Sequence, residues 1–197
     1  MNKLDLRLKY VLVGASGSGK TTMAGILKDT LGFQRCITST TRPPRPGEKD
    51  GVDYHFLKEF IPEEMFEMAT FGNYEYGISW DALKKGDFVI LDPQGVRYYR
   101  EHYPAPLYVI QLYRDNIQVD TERMARDKAA GFDRVNPDII VSGNTIETMA
   151  KKLINAISEY QQKQNRPLSQ IISSAEAKNQ SRFLEIQKQD KTYSKAR

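Results

Sequence analysis

The sequence predicts a doubly wound, three-layer α/β/α fold with a mainly parallel sheet. Two observations carry this. Short apolar segments rich in Val, Ile, Leu and Tyr recur, with helix-compatible segments between them. The first of them runs straight into Gly14-Ala15-Ser16-Gly17-Ser18-Gly19-Lys20-Thr21. That octapeptide is G-x-x-x-x-G-K-[ST] in its proper setting, strand before and helix after.

Lys9–Val13 reads as a strand covered on both faces, because Tyr10-Val11-Leu12-Val13 is apolar without alternation. The glycines that follow let successive N–H groups turn toward phosphate oxygens, and a helix start adds its positive dipole end. Gly14, Ala15, Ser16, Gly17, Ser18, Gly19, Lys20, Thr21 and Thr22 are the expected ATP-binding set. Lys20 would reach the β- and γ-phosphates, and the Thr21 hydroxyl would hold Mg2+. Lys20–Leu31 is the helix.

Residues 33–85 break the rhythm and read as an inserted subdomain beside the loop. Within it, Val52–Phe56 alternates as a strand, Pro62–Ala69 reads as a short helix, and Phe71–Gly77 is a run of Gly and aromatics. The α/β alternation then resumes: strand Phe88–Leu91, helix Gln94–His102, strand Leu107–Leu112, helix Ile117–Ala130, strand Asp138–Val141 and helix Thr145–Gln162. The last helix places Ile146, Met149, Ala150, Leu153, Ile154 and Ile157 on one face. From Asn165 the chain turns Gln-, Ser- and Lys-rich after Pro167, with a capping box at Ser173–Glu176 and apolar Phe183, Leu184 and Ile186. A solvated extension is the simplest reading of this tail. The sharper one is a docking or oligomer arm, a homodimer included.

Bulk properties exclude several classes. The apolar runs are far shorter than a membrane span, and no apolar leader opens the chain, so a cytoplasmic protein is expected. One cysteine, Cys36, permits no internal disulfide; with two histidines, His55 and His102, a structural zinc site is not expected. The net charge of +4 argues weakly for nucleic acid, because its location is wrong. Residues 163–197 hold eight Lys/Arg and three Asp/Glu, leaving 21 basic and 22 acidic residues in 1–162.

A second site is written in Thr38-Ser39-Thr40-Thr41-Arg42-Pro43-Pro44-Arg45-Pro46-Gly47-Glu48 and the Gly51-Val52-Asp53-Tyr54 that follows. Two arginines three apart sit in a proline-stiffened segment, and guanidinium forks suit a phosphate dianion. Taken alone, this segment reads equally as an exposed loop. With Phe71-Gly72-Asn73-Tyr74-Glu75-Tyr76-Gly77 and Leu91-Asp92-Pro93-Gln94-Gly95, it resembles the guanylate kinase family in motif order and spacing over roughly residues 8–160.

The resemblance implies an ATP-dependent kinase acting on GMP or dGMP, with Mg2+. It implies a guanylate-kinase-like domain over 1–162, with core 1–32, 86–113 and 127–162, a nucleoside-monophosphate subdomain 33–85, a short lid 114–126, and an extension 163–197. Arg42, Arg45, Tyr54 and Tyr76 match the groups that grip the GMP phosphate. Glu67 matches the carboxylate that accepts the guanine N1–H and amino protons, a pairing adenine cannot offer. Asp92 matches a second guanine-reading acid, and Thr38 stands where the family usually has Ser. Lys20 and Arg42, with Arg114, Arg123 and Arg126 from the lid, are the expected catalytic cations; Arg134 is a further candidate.

Three departures stand out. The family's D-x-D becomes Ile90 and Asp92, so Asp92 is expected to serve the metal as well, beside Thr21. The hydroxyl residue after F-G-N-Y-x-Y-G is Ile78, leaving Ser79 as its substitute. The arginine-rich lid segment is short. The alternatives are a kinase for another nucleoside monophosphate, or a guanylate-kinase-like binding module without catalysis.

Overall fold

The computed structural model describes residues 6–114, 125, 129 and 131–165. Strand β1 is Lys9–Val13, buried along its whole length. It pairs in parallel with β6 (Phe88–Ile90) on one side and β7 (Leu107–Arg114) on the other. Parallel β8 (Ile139–Gly143) completes the order β6-β1-β7-β8. Such a sheet needs cover on both faces, which explains its unbroken apolar strands. Helix α1 (Lys20–Leu31) follows β1 and ends at Gly32, whose φ of 68° is the left-handed stop that closes helices.

A second sheet, β3-β2-β5-β4, is built from the inserted segment. Its strands are β2 (Ser39–Thr40), β3 (His55–Phe56), β4 (Met65–Phe71) and β5 (Tyr74–Ser79). β4 and β5 form a hairpin turned at Gly72, where φ is 62°. Helix α2 (Trp80–Lys85) starts at Ser79, whose side chain accepts from the Ala82 N–H. Helix α3 (Pro93–His102) has Pro at its start and Asp92 as its cap. Helix α4 is Ile146–Gln164 and buries Met149 and Leu153.

The chain divides into two compact units, Met1–Ile154 and Asn155–Arg197, and both sheets belong to the first. Among the described residues no helix is long and apolar enough to cross a membrane. The tail's capping box and apolar residues lie outside the described residues, as does all of the Ile117–Ala130 helix except positions 125 and 129.

The structure corrects two element readings. Pro62–Ala69 is not a helix: only Pro62–Glu64 forms a 3-10 turn, and β4 begins at Met65. Met, Glu and Ala favour helix intrinsically, but the hairpin and the burial of Phe66 override that preference. Val52–Phe56 is strand only at His55–Phe56. Ahead of it the chain turns at Gly51 (φ 70°), and the Lys49 carbonyl accepts from Val52 and Asp53.

Phe66 joins the two sheets. Its ring lies edge-on to Trp80, Tyr98, Tyr99 and Tyr103, with centroids at 4.9, 5.4, 4.9 and 5.9 Å. The Tyr98 hydroxyl donates to the Phe66 carbonyl at 3.0 Å. β4 is thereby packed onto α3, which follows a core strand. Aromatic pairs of this geometry contribute roughly 0.5–1.5 kcal/mol each beyond their buried area.

One polar group opposes this core. Lys9 is 0% exposed, and its Nζ has no hydrogen-bond partner among the described residues. Desolvation lowers its pKa, against the pull of Cys36 and Asp87. Because the folded pKa lies below the unfolded one, the penalty is largest at neutral and lower pH and fades as pH rises toward the unfolded lysine value. Lys9→Met is therefore expected to raise Tm, by about 2–4 °C for each kcal/mol recovered. The gain should shrink between pH 7 and pH 10 in thermal melts.

Candidate nucleotide site

The turn between β1 and α1 is shaped by glycine. Gly17 and Gly19 have φ of 78° and 91°, where other residues are strained. At Gly14 there is no room for a side chain: a Cβ would stand 2.6 Å from the Leu112 carbonyl oxygen and from Ser18 Oγ. Lys20 Nζ lies over this loop, donating to the Gly14 and Ala15 carbonyls at 2.6 and 2.9 Å. Ser18 is buried, while Thr21 and Thr22 are exposed at the start of α1. Gly19 brings no side-chain cap to α1, so none occupies the first-turn N–H groups.

One strand away lies a cavity of about 470 Å³. Ile90 of β6 pairs with Leu12 of β1, and Ile90, Leu91 and Asp92 form one wall. Thr38, Tyr54, Glu67 and Tyr76, from the segment that builds the second sheet, also line the cavity. A β-bulge between Met65 and Glu67 makes Phe66 the extra residue of β4. Phe66 turns into the aromatic core while Glu67 lines the cavity. Burial, and secondarily the charge of Asp92, push the Glu67 carboxyl up to about 7. Asp92 is exposed, and its Oδ1 accepts from the Gly95 N–H at 2.7 Å, capping α3.

Arg42 is 8% exposed, although it sits in a loop. Its N–H donates to Thr40 Oγ1 at 3.1 Å, and Thr40 Oγ1 donates to the Glu75 carbonyl at 2.8 Å. The guanidinium donates to the Pro43 carbonyl at 2.7 Å and to both Glu48 oxygens at 2.9 and 3.0 Å. It stands 5.7 Å from the Tyr54 ring centroid and 5.8 Å from that of Phe56. Tyr54 and Tyr76 meet edge-on at 6.2 Å. Desolvation works against the Arg42 charge, but hydrogen bonds with Glu48 and Tyr76 outweigh it and raise its pKa. Arg45 is exposed.

The structure thus gathers Thr38, Tyr54, Glu67, Tyr76 and Asp92 around one cavity and places Arg42 against Tyr54 and Tyr76. Ser79 is not part of that set. It follows buried Ile78, caps α2, and lines a neighbouring cavity of about 740 Å³ with Arg35, Phe56 and Ile61. Among the described residues no group of three His, Cys, Asp or Glu could hold a metal. Arg114 ends β7 and leaves the sheet at the same C-terminal edge as the β1 turn. Arg123 and Arg126 lie outside the described residues, and exposed Arg134 sits 3.8 Å from Asp133. Sequence reasoning overlooked Glu48; its signal was the three-residue spacing Arg42, Arg45, Glu48.

Parallel strands, a glycine turn closing on Lys20 and a helix start define a P-loop nucleotide-binding α/β protein. The guanylate kinase family model matches residues 7–160, and the chain belongs to that family. It is 35% identical over 141 residues to the guanylate kinase of Alkalilimnicola ehrlichii, covering 64% of this chain and 69% of that one. It is 31% identical over 187 residues to that of Coxiella burnetii, covering 80% and 88%. The crystal structure of guanylate kinase from Anaplasma phagocytophilum shares the fold, with a TM-score of 0.53 and 24% identity over 79% of this chain and 87% of that one.

The hairpin that carries Glu67 and Tyr76 tolerates no side chain at Gly77, where a Cβ would stand 2.4 Å from the Glu67 carbonyl oxygen. Gly77→Ala is expected to lower stability by roughly 1–3 kcal/mol. Gly25→Ala, in α1 with nothing within 4 Å, is the control. It should instead stabilise by about 0.5–1 kcal/mol. Denaturant melts of both variants check the pair.

Proposed function

We propose that this chain transfers the γ-phosphoryl group of ATP to GMP or dGMP. The observation that carries the reading is the single cavity lined by Glu67, Asp92, Tyr54 and Tyr76, one strand from a P-loop with every position intact. In this reading the second sheet, within 33–85, is the acceptor subdomain. Glu67 accepts from the guanine N1–H and amino group, and Asp92 supports base reading from the other wall. Tyr54, Tyr76, Arg42 and Arg45 take the acceptor phosphate. Lys20 and the α1 start take the donor phosphates.

Phosphoryl transfer asks the protein for in-line placement and neutralised charge, with little covalent chemistry. The acceptor phosphate is already anionic, so neither histidine is needed as a base. Mg2+ fits the donor set as an ion carried with the nucleotide: Thr21 offers an exposed hydroxyl at the helix start, and such an ion keeps waters and phosphate oxygens as its other ligands. Bound there, it would neutralise charge developing on the phosphates. Asp92, occupied with the α3 cap and facing Glu67's cavity, is assigned to the base rather than to the ion.

Two outcomes are expected. Lys20→Ala abolishes ADP formation from ATP and GMP while leaving the melting curve close to that of the wild type; retained turnover contradicts the reading. The second concerns pH. Free Glu67 carries a proton through much of the range below 7, whereas guanine's donors select the carboxylate. GMP binding should therefore release a proton and weaken as pH falls through about 7. Glu67→Gln should remove that component. Titration calorimetry in two buffers of different ionisation heat measures the proton release directly.

A further inference from the structure

We propose that Glu48 is a positioning residue for phosphoryl transfer: it holds Arg42 as a rigid, charge-neutral fork, leaving Arg45 to supply the net attraction for the acceptor phosphate. The inference rests on the proposed function. A guanidinium has five N–H donors in one plane. In Arg42 one terminal nitrogen donates to the Pro43 carbonyl and the other to both Glu48 oxygens. Tyr76 lies near the same guanidinium and, after Glu48, helps to raise its pKa. Nε is buried and has no partner among the described residues.

Glu48 is itself fixed from two sides. Its Oε2 accepts from the Arg45 N–H at 2.7 Å, and its own N–H donates to the Arg45 carbonyl at 3.0 Å. The hydrogen bond from Arg45, reinforced by Arg42, holds its carboxyl below the usual glutamate range. Glu48 is therefore ionised wherever the enzyme would work. One carboxylate closes the 45–48 turn and clamps Arg42 against it.

Charge then separates the two arginines. Arg42 and Glu48, 2.9 Å apart, sum to zero at the distance of an incoming phosphate. Arg45 is exposed and forms no ion pair among the described residues. A dianion is therefore drawn in by Arg45 and oriented by Arg42. Losing Glu48 removes a negative charge beside the phosphate, which favours binding, and frees the Arg42 fork, which disfavours the in-line geometry. The consequence is a split that simple loss of structure would not produce.

The experiment is a kinetic and calorimetric cycle on the full chain. Glu48→Gln is expected to lower kcat by about tenfold or more while the GMP Kd stays level or tightens. Arg45→Ala should show the inverse weighting, with Kd weakened more than kcat. In an Arg42→Ala background, adding Glu48→Gln should change kcat by less than about twofold, because Glu48 acts through Arg42. Glu48→Asp keeps the charge with a shorter reach; if Glu48→Gln fails to fold, this variant is expected to lower kcat with the GMP Kd unchanged.

Three results overturn the inference: a kcat within about twofold of wild type, Kd and kcat lost in parallel, or an undiminished Glu48→Gln effect in the Arg42→Ala background. A wild type that forms no ADP from GMP sinks the proposed function instead. An active wild type indifferent to Glu48 sinks only this inference.

Discussion

The packing of Phe66 into the aromatic cluster of α2 and α3 is the joint on which the rest depends. It binds the second sheet to α3, the helix after β6. It also sets the direction of β4. A regular strand would alternate Met65, Phe66 and Glu67 between faces. The bulge instead buries Met65 and Phe66 together and delivers Glu67 to the cavity. A large apolar ring thus determines where a carboxylate sits. The same cluster encloses Tyr99, whose hydroxyl is buried and whose pKa is raised first by that burial and then by Glu67.

Polar groups in this protein are held at some expense to stability where the chemistry uses them. Glu67 is half-buried beside a second acid, which disfavours its charge in the free protein and leaves guanine's two donors to restore it. Arg42 is buried, and its desolvation is offset by Glu48, Tyr76 and the Pro43 carbonyl, although its Nε has no partner among the described residues. Lys9 is a different case. It is buried with no partner among the described residues, and nothing in the proposed chemistry uses it.

The P-loop and the parallel core were legible in the sequence because their signals are local. Glycine spacing dictates backbone conformation, and unbroken apolar runs dictate double-sided burial. The Arg42, Tyr54, Glu67, Tyr76 and Asp92 set was legible only through resemblance, since those residues converge from separate segments of the chain. The segment 62–69 misled because Glu, Met and Ala favour helix, while the deciding contact, Phe66 against residues of α3 more than thirty positions away, leaves no local trace. Ser79 caps α2 and lines the neighbouring cavity, a placement that spacing along the sequence does not reveal. Glu48 was passed over because a lone glutamate after Gly47 reads as a solvated turn residue until its bidentate grip on Arg42 is seen.

In the proposed function one cavity, lined by two carboxylates and set beside an intact P-loop, selects a guanine acceptor for ATP. A coupled assay of ADP formation against GMP, dGMP, AMP, CMP and UMP tests it most directly. The expected result is a kcat/KM for GMP and dGMP on the order of 10^4-fold above the other three, the scale on which hydrogen-bonded sites reject a partner lacking the matching groups. Comparable values across the bases, or turnover with none, would contradict it.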